Sequence, residues 1–145
     1  ELQDLHLGTN VPTIRALRDQ GFSDQIIERF FRPFLGGVFL DPDLSPSSRC
    51  FEFVFRMFAL GVEAGRIGGT APAVFNAANE IAVQAFLDER IGFLNMAEVV
   101  GDTMEALGSG LADCFDTLMD WDERARHAAE AGIAKRGRTK GRRKN

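Results

Sequence analysis

Apolar residues recur along this chain at intervals of three and four, the period of a helix with one buried face, and the fold they predict is all-α. Thr9 and Asn10 ahead of Pro12 predict a helix start, and Gly21 its end. Ser23 caps a second helix, whose apolar positions Ile26, Ile27, Phe30 and Phe31 share a face. Pro33, Gly36 and Gly37 break that pattern, and Val38–Leu40 reads as a short extended piece within an irregular stretch near 36–46. A third helix runs from a Ser48 cap to Gly61, with Phe51, Val54, Phe55 and Phe58 along one side. A long helix from Thr70 and Pro72 to about Glu89 turns Val74, Ala78, Ala82, Ala85 and Phe86 inward. Asn95 and Glu98 open the next, which repeats Met96, Val99, Val100, Met104 and Leu107 before Gly108. A last helix starts at Asp122 and fades near Gly137.

The pattern divides the chain into a phenylalanine-rich helical segment (1–61), a glycine-rich linker (62–69), a helical bundle (70–134) and a disordered tail (135–145). Nine of the 13 phenylalanines fall between Phe22 and Phe58, so this part either packs against something large or leaves a patch that drives association. Phe51, Phe55 and Phe58 are the expected association surface, and the expected partners are a second copy or other protein domains.

Charge sharpens the last boundary. The net charge is −4, yet Lys135, Arg136, Arg138, Lys140, Arg142, Arg143 and Lys144 hold seven of the 17 basic residues. This tail has no apolar residue to bury and is a secondary candidate for nonspecific nucleic-acid binding. Cys50 and Cys114 are far apart and outside any CxxC pattern, and no apolar run approaches the roughly 18 residues of a membrane span, so a cytoplasmic setting is expected.

Candidate chemistry is sparse. Gly68 and Gly69 before a helix start offer a weak anion cradle without the GxGxxG or Walker pattern, and a linker with a cap explains them better. Asn76, Asn79 and Glu80 form a polar interaction patch at i, i+3 and i+4, a spacing that equally serves hydrogen bonds to a neighbouring helix. His6 and His127 have no partners arranged for a metal or a triad, and the acidic run Asp113, Asp116, Asp120, Asp122 and Glu123 lacks the ligand spacing of a calcium loop. No catalytic, cofactor-binding or metal-binding residue is expected, and no cofactor.

Two stretches carry family resemblances. Residues 21–61, with FFRPFLGGVFLDP and FEFVFRMFALG, resemble a substrate-side helical segment of flavin-dependent amine oxidases and phytoene desaturase-like oxidoreductases, with 1–20 continuing the match. In that family the flavin is held elsewhere, so flavin binding does not carry over. Residues 68–100, GGTAPAVFNAANEIAVQAFLDERIGFLNMAEVV, resemble the C-terminal helical domain of 1-deoxy-D-xylulose 5-phosphate reductoisomerase, and DERAR at 122–126 extends the likeness over 66–136. That resemblance implies an isoprenoid-pathway enzyme using NADPH and a divalent metal, with both catalytic domains preceding this segment and its metal carboxylates without counterparts here. Two half-patterns joined at glycines imply a chimera or a fusion. The expected function is a noncatalytic, self-associating helical module; the alternatives are a reductoisomerase part without its catalytic domains, a flavoenzyme fragment, and a nucleic-acid-associated protein.

Overall fold

In the computed structural model the structure describes residues 10–141, with side chains through Arg136. The elements are helical throughout the described residues: α1 (Thr13–Asp19), α2 (Asp24–Ile26), a π-helical turn (Ile27–Phe31), α3 (Arg32–Phe39), α4 (Ser48–Ile67), α5 (Ala71–Leu87), α6 (Asn95–Leu107) and α7 (Phe115–Gly141). Extended pairing among them is limited to one bridge between Pro12 and Ser47. The chain forms two compact units, the first ending at Arg56 and the second beginning at Met57. No helix among the described residues is long and apolar enough to cross a membrane.

The first unit is built around phenylalanine. Leu17, Ile27, Phe31, Leu35, Leu44 and Phe51 form its buried centre, with Phe22, Phe34, Phe39, Val54 and Phe55 packed around them. Ring centroids lie 4.6 Å apart for Phe51 and Phe55 and 5.9 Å apart for Phe31 and Phe51, within the range of favourable aromatic pairs. Segment 44–47 closes the core from its edge, because Thr13 N and Oγ1 both donate to the Pro46 carbonyl at 2.8 Å. The expected Ser23 cap is present, its hydroxyl accepting from Ile26 N at 3.4 Å.

Several boundaries differ from the expectations. Pro33 does not break the second helix, since it falls in the first turn of α3, where a missing N–H is tolerated. Val38 and Phe39 are therefore helical, and α3 ends at Leu40 in the left-handed region (φ 54°). Gly36 is required by contact: a Cβ there would lie 3.3 Å from Pro42 Cα as the chain turns back. Irregular backbone is confined to residues after Leu40, where Asp41 accepts from Asp43 N at 2.9 Å in an Asx turn. The glycine-rich linker is not a linker either, because α4 passes through Gly61 and Gly65 to Ile67. Each glycine costs a helix only about 1 kcal/mol, a penalty that packing overrides. Here Gly61 lies against the Phe75 ring, 3.5 Å from where its Cβ would be.

The second unit is a bundle in which α5 packs against both α6 and α7. Ala71, Val74, Ala77, Ala78, Ala82 and Ala85 are all buried, and side chains this small let helices approach closely on two sides. Helix α7 starts at Phe115 rather than Asp122 and continues to Gly141 instead of dissolving at 135. Its early start is set by Asp113 and Cys114: the Thr117 hydroxyl donates to Asp113 Oδ1 at 2.7 Å, and Thr117 N to Cys114 Sγ at 3.5 Å. Near its end Arg136 reaches Asp102 on α6 at 2.6 Å.

Removing the Phe51 ring leaves a cavity that the packed unit cannot close. Phe51→Ala is expected to destabilise the first unit by about 3–5 kcal/mol, whereas Phe30→Ala, at a half-exposed ring, costs about 1 kcal/mol or less; urea titration followed by far-UV circular dichroism checks the difference.

Candidate functional site

The polar patch expected on α5 faces α7. Asn76 Nδ2 donates to Glu80 Oε1 at 3.0 Å, and Arg126 Nη2 donates to Glu80 Oε2 at 2.7 Å. Arg126 also grips Asp122, one turn earlier on α7, through Nε at 2.6 Å and Nη2 at 3.2 Å. The Arg126 hydrogen bond, aided by that of Asn76, holds the Glu80 carboxyl below its ordinary value of 4.5, and Asp122 and Glu80 together raise the Arg126 guanidinium. Asn79, the third member, is half-buried on the same helix. Of the three, Glu80 is the one that reaches α7.

Two further pairs hold α7 along its length. Arg90, just beyond α5, makes a two-pronged contact to Glu130 at 3.1 and 2.6 Å, which lowers the Glu130 carboxyl. Arg136 bonds Asp102 at 2.6 Å and lies 3.7 Å from Glu98. The order of these contacts makes α5 and α7 run in the same direction.

At their shared starting end the backbones touch. Thr70 N donates to the Gly110 carbonyl at 3.0 Å, Gly110 N donates to the Thr70 hydroxyl at 2.9 Å, and the Ser109 hydroxyl donates to the Gly68 carbonyl at 2.9 Å. Gly68 and Gly69 both have positive φ (72° and 56°), and a Cβ on Gly69 would sit 2.2 Å from the Gly110 oxygen. A Cβ on Gly110 would in turn sit 2.7 Å from the Trp121 ring. This corrects one expectation, since the Thr70 hydroxyl does not cap α5, and segment 109–110 occupies the helix start where the weaker anion-cradle reading would have placed its ligand.

The other expected sites disperse. Phe51 is buried and Phe55 packs against it in the first unit, while Phe58 belongs to the second and is half-exposed. Of the basic tail, Lys135 and Arg136 are helical; the side chains of Arg138 and Lys140, and all of Arg142, Arg143 and Lys144, lie outside the described residues, as does His6. His127 is exposed on α7. No group of three or more His, Cys, Asp or Glu among the described residues is placed to hold a metal ion. Sequence reasoning missed a groove of about 500 Å³ between α6 and α7, walled by Val99, Ala106, Ala128, Ala131 and Gly132 with Asp102 and Arg136 at its edge. Its only sequence signal is the run of small residues in α7.

Comparison with known proteins places this geometry. The family described as DXP reductoisomerase C-terminal domain matches residues 49–128. The 1-deoxy-D-xylulose 5-phosphate reductoisomerase of Ralstonia nicotianae is 54% identical over 80 residues, covering 55% of this chain and 20% of that protein. That of Chloroherpeton thalassium is 51% identical over 72 residues, 50% of this chain and 19% of that protein. That of Acinetobacter baumannii is 45% identical over 83 residues, 57% of this chain and 21% of that protein. The chain therefore spans about a fifth of the length of these curated relatives. The family match begins inside α4, twelve positions before the expected junction at 61, so residues 49–61 side with the reductoisomerases. The flavoenzyme resemblance of 1–61 and the chimera built on it have no support among these matches.

Two outcomes test the packing. Gly68→Ala is expected to cost about 1 kcal/mol for its backbone conformation alone, and Gly69→Ala roughly 3 kcal/mol or more because it also drives two backbones apart, read by the fluorescence of Trp121, the single tryptophan, during urea unfolding. Glu80 and Glu130 have folded values below the ordinary 4.5, so what they contribute is complete above that pH and lost as the pH falls through the folded value. The gap in urea midpoint between the wild type and Glu80→Gln should therefore be widest at neutral pH and shrink below pH 4.5.

Proposed function

The chain belongs to the DXP reductoisomerase C-terminal domain family, and from that membership we propose that its second unit is the supporting bundle of a 1-deoxy-D-xylulose 5-phosphate reductoisomerase. One observation carries the reading. Residues of the stretches that resemble the family, Gly69 and Thr70, Glu80, Asp122 and Arg126, take part in joining the start and middle of α5 to α7 and the loop before it. Their chemistry is consumed in holding helices, which fits a scaffold better than a reacting site. NADPH, the metal and the sugar phosphate are then handled by parts of the enzyme outside this stretch. The packing of α5, α6 and α7 on one another supplies the body against which those parts are held. Residues 10–48 lie outside the family match and pack around a phenylalanine core that also takes in Phe51 and Phe55 from within it, and no activity is proposed for them.

The test is a graft. Residues 49–136 replace the homologous C-terminal segment of the Ralstonia nicotianae enzyme, and NADPH oxidation with 1-deoxy-D-xylulose 5-phosphate is followed at saturating magnesium. A hybrid within about tenfold of the parent kcat/KM is expected. A hybrid that folds, binds NADPH and shows no turnover would sink the proposal.

A further inference from the structure

The second unit leaves large apolar side chains uncovered on α4 (Phe58, Val62), on α5 (Val83, Leu87) and at the entry to α7, and the last of these is the most exposed ridge. Leu111, Phe115 and Met119 follow one another at intervals of four where the chain enters α7, and they are 82%, 72% and 50% exposed. Two residues beyond Met119, Trp121 turns into the core against Val74 and Ala125, so the omission is local and not a general failure of α7 to bury apolar side chains. The ridge is also held rigidly, because it leaves directly from the Ser109–Gly110 segment locked to the start of α5. A preordered apolar surface loses little freedom on binding. Exposed Asp113, Asp116 and Asp120 flank it with negative charge, of which Asp120 is paired with Arg124 at 3.7 Å.

We propose that this ridge is the surface on which the remaining four-fifths of the reductoisomerase docks. The inference rests on the supporting-bundle reading above and adds to it where the contact lies and what opposes it. The occupant follows from length and charge. The relatives are about five times longer than the stretch they share with this chain, so a large body of the same enzyme lies outside it. The acidic flank selects an opposing face with an apolar centre and arginine or lysine at its rim. The α6–α7 groove does not compete for this role, since Arg136 and Asp102 pair across its edge.

Binding of the full 145-residue chain to the Ralstonia nicotianae enzyme lacking its C-terminal domain tests the proposal, measured by calorimetry at low and high salt. Phe115→Glu with Met119→Glu is expected to weaken binding about 100-fold. Leu87→Glu, at an exposed leucine on α5, is expected to leave it unchanged, and salt to weaken the wild-type complex. Trp121 fluorescence during unfolding confirms that the double variant keeps its core. If the double variant binds like the wild type, the ridge is not the docking surface although the supporting-bundle reading stands. Should the truncated enzyme not stay folded, the same two substitutions go into the hybrid, where unchanged turnover and thermal stability overturn the ridge. An inactive hybrid without substitutions overturns the reading itself, and with it the ridge. A free chain that is a dimer in light scattering and a monomer as the double variant would assign the ridge to a second copy and overturn the proposal.

Discussion

Two stretches of backbone approach within hydrogen-bond distance where the turn into α5 lies against the loop into α7, and the second unit is organised by that contact. Nothing larger than hydrogen fits at Gly69, and Gly110 meets the Trp121 ring on its other side. Because the donors and acceptors of both segments are satisfied by each other, the contact fixes distance and direction together. Helices α5 and α7 leave from this common point and run the same way. The alanines along α5 then keep the helices close over the rest of their length.

Charged pairs act at the next level. Glu80 with Arg126, Arg90 with Glu130, and Asp102 with Arg136 join α7 to its neighbours at successive heights. Their side chains are partly solvated, so they add little to stability and matter more for the rotation and register of a helix whose buried face is mostly alanine. A motif rich in asparagine and glutamate can look like a reacting site when its use is alignment.

Much of the helical content was legible. The Ser23 cap, the span from Ala71 to Leu87 and the apolar repeat from Met96 to Leu107 are local matters of capping and period, which a sequence displays directly. Glycine and proline misled at three places. Pro33 is harmless because a helix start needs no N–H there, Gly36 is demanded by the chain returning at Pro42, and Gly61 is held in α4 by the Phe75 ring. The two glycines depend on what the chain brings back against them. The start of α7 was legible locally, in Asp113 and Cys114 receiving Thr117, whereas Arg136 finding Asp102 depends on a different helix.

By itself the sequence determined the all-α class and the kinship of its second part, since periodicity and the GGT, NAANE and DERAR patterns are properties of neighbouring residues. Only the tertiary structure decided what those patterns are for. Whether Glu80 faces solvent or Arg126, whether Gly69 opens toward an anion or closes on Gly110, and whether Phe51 or Phe115 is left uncovered are questions of what lies opposite. That is set by how helices distant along the chain meet, which the spacing within any one of them does not contain.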